Sequence, residues 1–347
     1  MQKHHETYMR RCLELAKNGL GSTYPNPLVG CVIVYNGVII GEGWHQEAGS
    51  AHAEVNAINA VQRQELLPMS TLYVNLEPCS HYGRTPPCSD LIIEKKIKKV
   101  VIGSVDIHEK VKGTGIARLK KNGVEVITGI LEGKCEFLNR RFFTFHRCHR
   151  PYVILKWAQT ADAYIFPDAG LKKGPVWISN PYSQLRVHQW RSQEASILVG
   201  KNTVLQDDPR LNTRGYKGLS PVRLVIDHNL DIPENRHIYD QQHETIVYNG
   251  LKDGLDRKVK YVKIDFKNEV IAQILGHLHA SAIQSLIVEG GAYTLNAFIR
   301  EGLWDEARVF YSDVRFEKGI AAPVLQSSFV KEESIGNDRL FWYINGG

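Results

Sequence analysis

His52-Ala53-Glu54, then Pro78-Cys79, then Ser80-His81-Tyr82-Gly83-Arg84-Thr85-Pro86-Pro87-Cys88, is the stretch that decides the first half of the chain. One histidine and two cysteines supply nitrogen and sulfur donors, a set that zinc takes when its fourth position is left for water. Glu54 stands two residues from His52, so it can sit beside a metal without binding it. That placement suits a carboxylate that passes a proton between water and substrate. The expected metal ligands are therefore His52, Cys79 and Cys88, with Glu54 as the catalytic acid–base group. His81 offers an alternative. As a fourth ligand it would close the site and make the zinc structural, but Glu54 would then have no evident role.

Around this stretch the pattern alternates between periods. Residues 5–19 read as an amphipathic helix ended by glycine. Two apolar runs, 29–35 and 38–41, flank Asn36-Gly37 and predict a hairpin. Helices are expected at 52–63, 89–95 and 116–122, and strands at 71–76, 99–103 and 124–128. The helix at 52–63 puts His52 and Glu54 in its first turn. Such alternation predicts an α/β sandwich for the first domain.

The chain has 347 residues, too many for one ordinary domain and enough for two. Its net charge of +6 is spread along the sequence, which fits anionic small molecules better than a nucleic-acid surface. The N-terminus, MQKHHETYMRR, lacks the apolar segment of a secretion signal, and no apolar run reaches the roughly 20 residues of a membrane span. A cytoplasmic protein with reduced thiols is expected, without membrane partners. Cys12 and Cys31 fall in apolar segments and read as core residues. Cys135 and Cys148 receive no role.

The alternation breaks near residues 139–151, NRRFFTFHRCHRP. These aromatic and basic residues read as a helix end and linker, with nucleic-acid stacking as the less favoured alternative. The boundary is placed there, giving domains at 1–148 and 151–347. In the second domain, strands are expected at 152–157, 196–199, 222–227, 245–248, 285–288 and 306–311. Helices are expected at 181–191, 270–279 and 293–301. A second α/β domain with a largely parallel sheet follows. Glu289-Gly290-Gly291 lies between a strand and a helix, where backbone amides can meet a phosphate. G-x-G-x-x-G is absent.

Eight residues separate Cys79 from Cys88, where simple cytidine-type deaminases have two. With His52-Ala53-Glu54, the N-terminal run YMRRCLELAKNGLGSTYPNPLVGCVIV and GEGWHQEAGSAHAE, this long spacer resembles the deaminase half of the bacterial bifunctional riboflavin-biosynthesis deaminase–reductases. Lys156 to Asp162, Gly200 with Thr203, Asp207 to Arg214, Glu289-Gly290-Gly291 and Gly302 to Glu306 resemble the reductase half. The resemblance implies a cytidine-deaminase-like α/β/α domain followed by a dihydrofolate-reductase-like α/β domain. It implies zinc-dependent hydrolytic deamination of 2,5-diamino-6-ribosylamino-4(3H)-pyrimidinone 5′-phosphate, then NADPH-dependent reduction of its ribosyl group to ribityl.

By the same resemblance, Asn26, His45, His81 and Arg84 hold the pyrimidine and its ribose phosphate. Ala158, Trp177, Thr203, Asp207, Gly290 and Gly291 would hold NADPH, and Lys156, Arg191, Leu211, Arg214 and Glu289 the second substrate. A homo-oligomer is expected, acting on a small phosphorylated pyrimidine and not on nucleic acid. The chain departs from the family at Ile107-His108-Glu109, where a Pro-Asn-Pro turn is usual, and at Ala161-Asp162-Ala163, where Leu-Asp-Gly is usual. The competing readings are a deaminase with a non-catalytic second domain, a nucleic-acid editing deaminase, and a structural zinc protein.

Overall fold

The computed structural model describes residues 2–82, 86–107, 112–168 and 176–346. The chain forms two compact units, 1–148 and 149–347.

The first unit runs α1 (Gln2–Ala16), β1 (Gly30–Tyr35), β2 (Val38–Trp44), α2 (Ala53–Ala60), β3 (Thr71–Leu76), α3 (Cys88–Glu94), β4 (Lys99–Ser104), α4 (Thr114–Lys121), β5 (Glu125–Ile127), α5 (Glu132–Leu138) and α6 (Arg140–Cys148). Asn36 and Gly37 both have positive φ, 47° and 80°, so the hairpin turns as its Asn-Gly pair requires. The sheet order is β2-β1-β3-β4-β5. β1 is antiparallel to β2 and β3, and β3, β4 and β5 are parallel. Strand alternation builds the layers. Cys31, Ile33, Leu72, Val74, Val100 and Ile102 face one core with Ala57, Ile58, Ile92 and Leu119. Val32, Val34, Tyr73 and Val101 face the other with Met9, Cys12 and Cys135. Helices therefore cover both faces. A Cβ on Gly43 would fall 2.6 Å from the Ala57 nitrogen, so α2 can lie on β2 only because glycine stands there.

In the 139–151 stretch the helix extends further than the expected helix end and linker. Residues Arg140–Cys148 are helical, with Phe142, Phe143 and Phe145 buried. Phe142 meets His146 at a ring distance of 4.5 Å, a helical i, i+4 pair. Arg147 lies over the Phe143 ring and pairs with Glu136. The aromatics are thus core residues of the unit and are not free to stack on bases.

The second unit runs β6 (Tyr152–Gln159), β7 (Tyr164–Pro167), α7 (Pro181–Gln193), β8 (Ser196–Gly200), α8 (Lys201–Asp207), β9 (Val222–Ile226), β10 (Thr245–Asn249), β11 (Gly254–Asp256), β12 (Val259–Lys263), α9 (Val270–Ala280), β13 (Ser285–Val288), α10 (Ala292–Arg300), β14 (Glu306–Tyr311), β15 (Gly319–Ala321), β16 (Phe329–Ile335) and β17 (Asp338–Ile344). Ten strands form one sheet, β11-β12-β10-β9-β8-β13-β6-β14-β17-β16. It is parallel from β12 to β14, as the βα alternation predicts, and antiparallel at both margins. Val153, Leu155 and Leu198 face one core; Tyr152, Ile154, Ile197 and Val199 face the other. Both faces of the central strands are buried, which explains their unbroken apolar runs.

Candidate active sites

In the first unit the donors converge at helix starts. His52 caps α2 in an extended conformation, φ −71° and ψ 164°. Cys79 follows β3, and Cys88 opens α3. His52 Nδ1 lies 3.5 Å from Cys79 Sγ and 3.3 Å from Cys88 Sγ. A tetrahedral zinc, with bonds of about 2.3 Å to sulfur and 2.05 Å to nitrogen, would hold such atoms roughly 3.6 Å apart. All three donor atoms lie within 4.8 Å of one another, and among the described residues no fourth donor joins them. His81 is exposed and outside the cluster, so it does not serve as the fourth ligand.

The charges in the cluster are strongly perturbed. The hydrogen bond from Cys88 is the first reason that the Cys79 thiol is held well below its ordinary range; Cys88 itself is pushed up. The hydrogen bond to Cys79 raises His52 to about 8 against the opposing effect of burial. Glu54, in the first turn of α2, is 3% exposed. Burial pushes its carboxyl up to about 7, although His52 opposes the shift. A carboxyl near neutrality can both take and give a proton.

Two of the four sequence-expected substrate residues, Asn26 and His45, lie together beside His52. Asn26 Nδ2 lies 3.0 Å from His45 Nε2, and His45 Nδ1 lies 3.2 Å from the Ala51 carbonyl. The His45 and His52 rings meet edge-on at 5.4 Å. Arg84 lies outside the described residues, as do His108 and Glu109 of the altered loop.

Sequence reading missed the residues that fasten this side. Leu28 donates its N–H to Asn139 Oδ1 at 2.7 Å, and its carbonyl accepts from Asn139 Nδ2 and Asn75 Nδ2, each at 2.9 Å. Glu77, 4% exposed, accepts from the backbone N–H groups of Gly113 and Ile116, each at 3.0 Å, and of Asp106 at 3.3 Å. The acid directly before Pro78-Cys79 was the one available signal for Glu77.

In the second unit a charged cluster forms where the central strands end. Arg191 donates from Nε to Glu289 Oε1 at 3.0 Å and from Nη2 to Oε2 at 2.7 Å, a two-pronged pair. Lys156 Nζ is 3.6 Å from the same carboxylate. Arg191 also reaches the Asn212 carbonyl at 3.3 Å. Burial works to raise Glu289, but Arg191 and Lys156 outweigh it and hold the carboxyl at about 2. Burial lowers Lys156.

The Arg214 N–H donates to His188 Nδ1 at 3.2 Å, which brings an unpredicted histidine to this cluster. On the same helix as Arg191, Arg186 pairs with Glu333 at 2.8 Å. Leu211 is 1% exposed within the core, so what it can offer a ligand is backbone.

The loop expected to meet the cofactor is close-packed. A Cβ on Gly290 would fall 2.5 Å from the Gly200 nitrogen, and Gly291 N–H donates to Thr203 Oγ1 at 3.0 Å. Asp207 Oδ1 is buried with no hydrogen-bond partner among the described residues, and burial raises that carboxyl. An orphaned acceptor at this place fits a ligand that brings a donor. Ala158 is half-buried at the end of β6, and Trp177 is 65% exposed. A separate cavity of 430 Å³, lined by Tyr164, Phe166, Gln206, Lys318 and Ile320 among others, contains none of the expected residues.

The Ala161-Asp162-Ala163 turn forms without glycine. Ala163 adopts φ +63°, a region that L-residues occupy at a cost. Asp162 secures the turn: it accepts from Thr160 Oγ1 at 2.6 Å and from the backbone of Glu317 at 2.8 Å.

Comparisons with known proteins match these two units. A family described as the cytidine and deoxycytidylate deaminase zinc-binding region matches residues 2–104, and one described as the RibD C-terminal domain matches 151–314. The riboflavin biosynthesis protein RibD of Aquifex aeolicus is 36% identical over 97% of this chain and 98% of its own length. That of Actinobacillus pleuropneumoniae is 43% identical over 82% of this chain and 77% of its own length. The crystal structure of a diaminohydroxyphosphoribosylaminopyrimidine deaminase/5-amino-6-(5-phosphoribosylamino)uracil reductase from Thermotoga maritima superposes with a TM-score of 0.90, at 34% identity over 99% of both chains.

Proposed function

The chain belongs to the RibD family of riboflavin-biosynthesis enzymes, a deaminase domain followed by a reductase domain, and on that premise we propose which of its residues perform each reaction. The enzyme is a hydrolase and an oxidoreductase. Its first domain has the cytidine-deaminase-like fold and its second the dihydrofolate-reductase-like fold. The described helices include none long and apolar enough to cross a membrane.

The proposed first substrate is 2,5-diamino-6-ribosylamino-4(3H)-pyrimidinone 5′-phosphate. His52 Nδ1 and the sulfurs of Cys79 and Cys88 have the chemistry and spacing to hold zinc. Zinc, when bound, supplies the positive charge that makes water a nucleophile near neutral pH. Glu54 takes the proton from the attacking water and delivers it to the departing amine, which leaves as ammonia. Burial raises its carboxyl above the usual range, which supports a group that both takes and gives a proton. Asn26 and His45 hold the pyrimidine edge, Asn26 with both a donor and an acceptor. His81 and Arg84 are assigned to the ribose phosphate.

In the second domain, NADPH would supply hydride to the ribosyl carbon, giving the ribityl product. Gly290, Gly291, Thr203, Asp207, Ala158 and Trp177 would hold it. Glu289 fixes Arg191 and Lys156 in place, so two cations stand ready for the phosphorylated substrate. Arg214 and the backbone at Leu211 complete that side. We assign the enzyme to the cytoplasm, as a homo-oligomer acting on a small phosphorylated pyrimidine and not on nucleic acid.

The observation that carries the deaminase reading is the three-donor cluster with a buried carboxyl beside it. A coupled assay on purified protein tests the whole reading by following ammonia release and NADPH oxidation separately, with zinc content measured on the same sample. Both signals and near-stoichiometric zinc are expected. Ammonia without NADPH oxidation would leave a deaminase with a non-catalytic second domain.

A further inference from the structure

We propose that Arg118 is a positioning residue of the metal centre, one guanidinium that locks the two cysteine segments to each other. The inference rests on the zinc reading above and extends it beyond the ligands.

Eight residues lie between Cys79 and Cys88, and a spacer of that length leaves the relative placement of two sulfurs loosely set. Backbone donors of the second segment join it directly to the first. Ser89 N–H donates to the Cys79 carbonyl at 3.1 Å, and Cys88 N–H donates to Cys79 Sγ at 3.3 Å. Arg118 adds a further bridge from α4. Its Nη1 donates to the carbonyl of Ser80, the residue after Cys79, at 3.2 Å. Its Nε and Nη2 fork onto the carboxylate of Asp90, two residues after Cys88, at 2.6 and 2.9 Å.

The helix that carries Arg118 is itself anchored to the Cys79 strand end. Glu77 accepts the N–H groups of Gly113 and Ile116 at the start of α4. A Cβ on Gly115 would fall 2.1 Å from the Pro78 carbonyl oxygen, so the helix start rests on the Pro78-Cys79 backbone. Ser80 Oγ and Thr114 Oγ1 meet at 2.5 Å. Arg118 thus reaches Asp90 from a base that cannot shift without moving Cys79. As an ion pair, with Arg118 40% exposed, the fork contributes little energy. Its value is geometric: metal ligands must be placed to within about 0.2 Å.

The test measures Zn²⁺ affinity of the full chain by competition with a chromophoric chelator, and the visible spectrum of the Co²⁺-loaded protein. It compares wild type with Arg118→Ala, Arg118→Lys and Asp90→Asn. Loss of an outer partner costs about 10–100-fold in metal affinity, and that loss is expected for Arg118→Ala. Asp90→Asn, which preserves shape, should weaken binding in the same direction. Arg118→Lys should fall between wild type and alanine, because lysine can meet only one of the two partners. The cobalt bands should shift in each variant, while the thermal unfolding of the deaminase unit stays cooperative and reports its folding, and NADPH oxidation on pre-deaminated substrate stays at the wild-type rate. Zinc affinity of Arg118→Ala and Asp90→Asn within twofold of wild type, with unchanged cobalt bands, would overturn the proposal even if thermal stability fell. A wild-type chain that binds no zinc would overturn the metal reading itself.

Discussion

Glu54 and Glu289 are the same side chain in two buried sites, and they end at opposite extremes. Glu54 is pushed up to about 7 and Glu289 is held down at about 2. Burial raises both. The difference is company. Glu54 shares its pocket with two thiols and one imidazole, which leave burial in control. Glu289 faces Arg191 at 2.7 Å and Lys156 at 3.6 Å. One carboxyl is left able to carry a proton; the other is a fixed anion that orients two cations. Depth alone does not assign a role to a buried acid.

The largest expected effect comes from Glu54→Gln. Deamination should fall by about 10²–10⁴-fold, the usual worth of an acid–base group. Zinc content and NADPH oxidation on pre-deaminated substrate should be unchanged, as measured on one sample. Deaminase turnover near wild type would break the contrast between the two acids.

Glu289→Gln should act through stability and reductase binding together. It leaves two buried cations without their anion, which costs roughly 3 kcal/mol. A lower unfolding midpoint of the reductase unit and a weakened reductase kcat/KM check this, with ammonia release unaffected. The pH sign follows from the depressed carboxyl. Its stabilisation is fully present above the unfolded value of about 4.3 and is lost as pH falls toward 2. An acid melting series should therefore show wild type and Glu289→Gln converging below pH 4.

The smallest effect is expected from Ala163→Gly, at a turn beside neither acid. Relief of the positive φ should raise stability by roughly 0.5 kcal/mol, after the entropy glycine adds to the unfolded chain. A fall in the melting midpoint would mean that the alanine methyl is worth more than the strain.

The convergence of His52, Cys79 and Cys88 was legible in sequence because ligand chemistry restricts residue type and order. The hairpin was legible because Asn36-Gly37 admits few backbones. The full extent of the helix at Arg140–Cys148 was not, because its basic residues disguise a buried Phe142, Phe143 and Phe145 face. The strands β7, β11, β12, β15, β16 and β17 escaped for a related reason. They are short or lie at sheet margins, and β16 is exposed along most of its length, so no apolar run marks it. Glu77, Arg118 and Asn139 escaped because their partners are backbone groups or distant residues. No local pattern records a hydrogen bond across 111 positions.

That long-range bond bears on how the enzyme can be dissected. The zinc-region match ends at residue 104, yet Leu28, two residues from the proposed pyrimidine contact Asn26, is gripped at both amide atoms by Asn139. A fragment cut at the edge of the match would keep His52, Cys79 and Cys88 and forfeit the strut on Leu28. A fragment meant to keep that strut has to run at least through Asn139, past the end of the matched region.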